Sequence, residues 1–66
     1  MNVVVNGRLS ELAQGTTLPA LVEQLGLRVG SVVVEHNGTA LLRSELAGVT
    51  LADGDRVELV RAVAGG

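Results

Sequence analysis

The sequence lacks cysteine, lysine and aromatic residues altogether. Without cysteine no disulfide can form, and a single histidine, His36, is too few for a usual zinc site. Nor does the chain contain a cysteine or lysine nucleophile, so catalysis would depend on His36 and seven acidic residues. These absences argue against a self-sufficient enzyme and against a bound metal.

Charge and hydropathy argue against two further classes of protein. The net charge is −2, and the five arginines are scattered with no aromatic residue to stack on a base, so nothing supports nucleic-acid binding. No apolar run approaches the roughly 20 residues of a membrane-spanning helix, and the run at Val3–Val5 lacks a signal peptide's basic leader. We therefore expect a cytoplasmic protein with no membrane partner.

The first thirteen residues have the pattern of a β-hairpin. Residues 1–6 alternate as a strand, and Asn6-Gly7 is the strongest short hairpin signal because both residues accept positive φ. Residues 8–13 would form the return strand. Leu9 and Leu12 break its strict alternation, which predicts a bulge or an early bend.

A change of period then predicts one α-helix over residues 18–25. Its apolar residues have the i, i+3, i+4, i+7 spacing of one helical face: Leu18, Leu21, Val22 and Leu25. Thr16 or Thr17 can cap the first turn, where Pro19 is tolerated. Gly26 is placed for the left-handed position that ends many helices.

The next segment predicts a second hairpin. Residues 31–37 form a strand in which His36 shares the inward face of the alternating valines, and Asn37-Gly38 supplies the turn. Residues 39–42 form a short return strand. We interpret His36 as a partly buried strand residue rather than as a base or a ligand, although an aliphatic residue would be expected there.

The last third of the chain predicts one more strand. Residues 43–48 are irregular or form one helical turn, with Leu46 as a core anchor, and residues 53–55 form a polar turn. Residues 56–62 form the final strand, in which Val60 faces outward while two residues face inward, Val57 and Leu59.

These elements predict an α+β fold, a mixed sheet of four to five strands with one packed helix. The first and last strands would pair in parallel at its centre. We expect residues 1–62 to form the domain and residues 63–66 a flexible C-terminal tail.

Five stretches in this order carry a family resemblance: "MNVVVNG", "TTLPALVEQLGL", "VVVEHNG", "LADGDRVELV" and "AVAGG". Together they resemble the β-grasp, or ubiquitin-like, fold and, within it, the ThiS-type sulfur carriers of thiamine (thiazole) biosynthesis. The resemblance covers the whole chain.

The resemblance implies a carrier that acts through its C-terminal carboxylate, at Gly66. An E1-like adenylyltransferase would adenylate it with ATP, and a sulfur source fed by a cysteine desulfurase would convert it to a thiocarboxylate. Thiazole synthase would accept the sulfur. Gly65, Ala64 and Val63 would enter the partner's active site, where glycine permits close backbone approach. No cofactor would be bound permanently.

Partner contacts are expected beside this tail, at Val60, Arg61 and Ala62. Two related functions stay open at this point. One is the small subunit of molybdopterin synthase, a group that often carries a proline before its tail, where residues 61–64 here have none. The other is a ubiquitin-like protein modifier, joined to target lysines through Gly66.

Overall fold

Five strands of the computed structural model form one mixed sheet, in the order β2-β1-β5-β3-β4, and the structure describes residues 1–61. β1 and β5 are parallel at the centre, and all other neighbours are antiparallel. The strand bounds are β1 Asn2–Val5, β2 Arg8–Glu11, β3 Val32–His36, β4 Thr39–Leu41 and β5 Arg56–Arg61. The predicted α+β architecture, with parallel first and last strands, is confirmed. Its boundary with a tail at residues 63–66 lies outside the described residues.

The helix α1, Leu18–Gln24, has the caps that the sequence predicts. Thr17 is the N-cap, and its hydroxyl oxygen accepts a hydrogen bond from the Ala20 N–H at 3.2 Å. Gly26 has a φ of +75°, and the N–H groups of Gly26 and Leu27 bond back to carbonyl oxygens of the last turn. This Schellman motif ends the helix one residue before the predicted end.

The helix packs one face on the sheet, and the core lies between them. Leu25, predicted on that face, is the C-cap residue and is 46% exposed. The buried apolar residues are Val3, Val5, Leu18, Leu21, Val22, Val34, Leu46, Leu51, Val57 and Leu59. The inward faces predicted for β3 and β5 are therefore confirmed.

β2 differs from its prediction. Its register against β1 runs without a bulge from Asn2↔Glu11 to Val5↔Arg8, and the strand ends at Glu11, two residues early. Leu9 is 71% exposed because it lies on the outer face, whereas Leu12 follows the strand and packs against the core. Of the two alternatives predicted from the broken alternation, the bulge is absent, and the early end of the strand agrees with the early bend.

Two short helical segments complete the chain. A 3₁₀ turn, Val29–Ser31, precedes β3 and was not predicted. The one-turn helix α2, Arg43–Leu46, agrees with the sequence, and Leu46 is only 2% exposed, as expected of a core anchor.

Candidate functional site

The candidate site begins where the central strand β5 ends. β5 is hydrogen-bonded between β1 and β3 and is described as far as Arg61, which is exposed. The structure confirms that Val60 faces outward, with 61% of its surface exposed. The other predicted site residues lie outside the described residues: Ala62, Val63, Ala64, Gly65 and Gly66.

A second exposed valine lies directly opposite Val60. Val33 of β3 pairs with Val60 in the antiparallel register and is 50% exposed. The next pair along the same outer face is Glu35 opposite Glu58. The end of β5 therefore presents an apolar valine pair, Val33 and Val60, bordered by an acidic pair. Sequence alternation predicted an outward position for Val33, but only the register shows that it contacts this site.

Two turn asparagines fix β5 from opposite sides. The Asn6 side-chain oxygen accepts from the Leu59 N–H at 2.8 Å, and the Asn37 side-chain oxygen accepts from the Arg56 N–H at 2.9 Å. Both asparagines have positive φ, 49° and 50°, as the first residue of a type I′ hairpin turn requires. Asn6 and Asn37 thus shape the two hairpin turns, and their side chains add hydrogen bonds to β5 besides those from the backbones of β1 and β3.

His36 belongs to a polar cluster at the start of β5. Its Nε2 lies 2.9 Å from an Asp55 carboxylate oxygen, and the Asn37 side-chain NH₂ donates to the other oxygen at 3.1 Å. The Ala52 N–H also donates to Asp55, at 2.9 Å. Because an ionised carboxylate is only an acceptor, the His36 ring nitrogen is the donor in this pair.

The charge of Asp55 is favoured by this environment. Burial alone would raise its pKa, but hydrogen bonds from His36, from the Ala52 N–H and from Asn37 outweigh burial and lower the pKa below 3.8. The cluster therefore joins the Asn37 turn to the turn before β5. This supports the interpretation of His36 as a structural strand residue.

The described part of the chain offers little other chemistry. Within residues 1–61, no group of three or more His, Cys, Asp or Glu side chains is placed to hold a metal ion. No helix of the described chain is long and apolar enough to cross a membrane.

Comparisons with known proteins agree on one family. The sequence model of the ThiS family matches residues 3–66. The crystal structure of the thiamine biosynthesis protein ThiS from Geobacter metallireducens superposes with a TM-score of 0.84, at 35% identity and full coverage of both chains. A solution NMR structure of a thiamine biosynthesis protein from the same organism has a TM-score of 0.82 at 35% identity, covering all of this chain and 88% of the other.

Two curated relatives are longer proteins. Over 66 residues the chain is 35% identical to a thiazole synthase of Paramagnetospirillum magneticum and 33% identical to one of Magnetococcus marinus. The match takes in all of this chain but only 20% of each relative, so the chain spans about a fifth of their length.

Proposed function

The chain belongs to the ThiS family, and from this premise we propose that it is a sulfur carrier of thiamine biosynthesis that acts through the Gly66 carboxylate. The observation that carries the proposal is the family match itself, which extends over residues 3–66 and so includes the Gly65-Gly66 pair. The match favours the thiamine branch over a molybdopterin synthase subunit or a protein modifier.

The proposed loading has two steps. A Gly66 carboxylate oxygen attacks the α-phosphorus of ATP, pyrophosphate leaves, and an acyl-adenylate forms. A hydrosulfide-level sulfur nucleophile then attacks the acyl carbon, and AMP leaves with the original oxygen while the sulfur proton goes to solvent. The product is a thiocarboxylate, an ionised sulfur nucleophile.

Partner enzymes supply every catalytic group in this scheme. An E1-like adenylyltransferase binds and uses the ATP. A cysteine desulfurase feeds the sulfur source with persulfide sulfur, and a thiol reductant, which ends as a disulfide, brings that sulfur to the hydrosulfide level. The names of the curated relatives support thiazole synthase as the acceptor. The chain itself contributes an acyl group on a stable body, which agrees with its lack of cysteine and lysine.

The fold supports this division of labour. β5 is hydrogen-bonded on both sides as far as Leu59, and its last residue, Arg61, is paired with Val32 of β3, so the body sets the position of Arg61. The five residues from Ala62 to Gly66, which we call the arm, span at most about 17 Å when extended. This length is enough to carry the carboxylate into a buried site. Slim residues at its end, Ala64 and Gly65, suit a narrow entrance.

We assign the first partner contacts to the valine pair beside this arm. Val33 and Val60 are exposed and adjacent, and apolar contact of this kind contributes most where an interface excludes water. Arg61, Ala62 and Val63 follow along the chain and would line the entrance.

The loading assay tests the proposal directly. The chain is incubated with an E1-like adenylyltransferase, ATP and a sulfur source, and its intact mass is measured. We expect a gain equal to one oxygen-to-sulfur exchange, which disappears without ATP. Deleting Gly66 should abolish the gain and leave the unfolding transition unchanged. An unchanged wild-type mass, under conditions that load an authentic ThiS, would refute the proposal.

The valine pair has a matched control on the same face of the sheet. Changing Val33→Ser together with Val60→Ser should raise the KM for the carrier in adenylation by about tenfold, the effect of losing roughly 1.4 kcal/mol of contact. Leu9→Ser, at a position 71% exposed on edge strand β2, should leave the KM unchanged. Equal KM values for all three proteins would remove the valine pair from the interface.

A further inference from the structure

A shallow depression lies on the flank of the domain, between the end of α1 and the end of β5. Its larger lobe has a volume of about 540 Å³ and is bordered by Arg28 and Arg43. A smaller lobe of about 220 Å³ is bordered by Arg28 and Arg61. Because the two lobes share Leu27, Arg28 and Ser31, they form one continuous surface. We call this surface the arginine depression.

The charge of the arginine depression is opposite to that of the molecule. It gathers three of the five arginines, with Glu23 as its one acidic lining residue, whereas the whole chain carries −2. The salt bridge found within residues 1–61 joins His36 and Asp55, so no carboxylate of the described chain forms a salt bridge with these arginines. A local positive field on an acidic protein favours an anionic partner.

The backbone around the arginines is well defined. Both the Ser31 N–H and its hydroxyl donate to the Arg28 carbonyl oxygen at 2.9 Å, which closes the 3₁₀ turn. The Arg43 side chain lies over Gly30, where an added Cβ would be only 3.2 Å from a guanidinium nitrogen. The absence of a side chain at Gly30 therefore lets the Arg43 guanidinium lie close to the backbone at the rim.

We propose that the arginine depression binds carboxylate side chains on the surface of the adenylating enzyme, around the entrance that receives the tail. This choice of partner rests on the proposed function, since loading of Gly66 must precede any sulfur transfer. Arg61 borders the depression and directly precedes the arm, so an enzyme that holds the arm covers this surface.

Distance favours protein carboxylates over the phosphates of the nucleotide. The reacting carboxylate is five residues beyond Arg61, about 17 Å away along an extended arm. When the arm is extended, a nucleotide that reacts at Gly66 therefore lies beyond the reach of Arg28 and Arg43.

The test compares two double variants with the same change of net charge. Arg28→Gln with Arg43→Gln removes two charges from the arginine depression, and Arg8→Gln with Arg56→Gln removes two exposed charges elsewhere. Association with the immobilised E1-like adenylyltransferase is measured at low and high salt. We expect the first variant to associate about tenfold more slowly at low salt, with the difference shrinking at high salt, and the second to associate like the wild type.

Each other outcome is decisive. If both double variants slow association equally, only net charge matters and the proposal is overturned. If a wild type that loads sulfur normally shows no difference from the first variant, the arginine depression has no role while the proposed function stands. If the wild type neither binds the adenylyltransferase nor acquires sulfur, both the role of the arginine depression and the proposed carrier function are overturned. Saturable NMR shifts of the Gly30 and Ser31 amides with inorganic phosphate, but none with hexaglutamate, would reject carboxylates as the ligand.

Discussion

Replacing Asp55 by asparagine should destabilise the domain and change how its stability depends on pH. Asp55 accepts three hydrogen bonds, from His36, Asn37 and the Ala52 N–H. An asparagine keeps the shape, but its NH₂ must face one of these donors, so at least one hydrogen bond and the charge are lost. Hydrogen bonds to charged groups contribute about 1.5–3 kcal/mol each, and partial exposure of this site places the expected loss near 1–2 kcal/mol.

That loss is large for a chain of this size. A domain of 66 residues has a free energy of unfolding of roughly 3–10 kcal/mol, and each kcal/mol shifts the Tm of a small domain by about 4–8 °C. Urea and thermal unfolding followed by far-UV circular dichroism suit a protein without tryptophan or tyrosine. We expect Asp55→Asn to lower the Tm by about 4–16 °C at pH 7.

The pH dependence distinguishes the charge from the shape of Asp55. Because its pKa in the fold lies below 3.8, the ionised carboxylate stabilises the fold above that pH, and the stabilisation is lost as the pH falls through the folded value. The free energies of unfolding of the wild type and of Asp55→Asn should therefore converge in acid. If the difference between these two free energies stayed constant from neutral pH down to acid, it would contradict the assigned role of the charge.

Glu58→Gln is the matched control, because it changes the net charge by the same amount. Glu58 is exposed and lies directly opposite Glu35 in the sheet, where like charges are destabilising. We expect this variant to be as stable as the wild type or slightly more stable. If it lost as much stability as Asp55→Asn, net charge rather than the hydrogen-bonded cluster would explain both results.

Two further pairs of substitutions, each a test and its control, probe the core and the helix cap by urea unfolding. Leu46→Ala should cost about 2–5 kcal/mol because it empties a buried site, whereas Leu42→Ala, at a residue 69% exposed, should stay within about 0.5 kcal/mol of the wild type. Gly26→Ala should lower the free energy of unfolding by about 1–2 kcal/mol through its φ of +75° alone, since nothing lies within 4 Å of the added methyl group. Gly48→Ala, the control, should be neutral or stabilising. Equal effects at the two glycines would contradict this reasoning.

Local patterns predicted the elements well because their signals lie within a few residues of each other. The capped helix, the two Asn-Gly hairpins and the inward faces of the central strands all follow from spacings of one to four residues. β2 was harder, because Leu9 lies outward on an edge strand, where exposure of an apolar residue is tolerated.

The features that link these elements could not be predicted from local patterns. Asn6 and Leu59 are 53 positions apart, and His36 and Asp55 are 19 apart, yet each pair is hydrogen-bonded. The same holds for Val33 beside Val60 and for the arginine depression, whose members come from three separate segments. Such contacts depend on strand register and loop path, which a single sequence does not specify.

The parallel pairing of β1 with β5 has a mechanical consequence. β1 begins near the amino terminus and β5 leads toward the carboxyl terminus, so a pull between the two ends of the chain runs along both strands in opposite directions. Such a load shears the ladder, and it strains the bonds at Val4, Asn6 and Leu59 together instead of opening them one after another. A force applied between the two ends of the chain thus meets the resistance of the whole ladder at once.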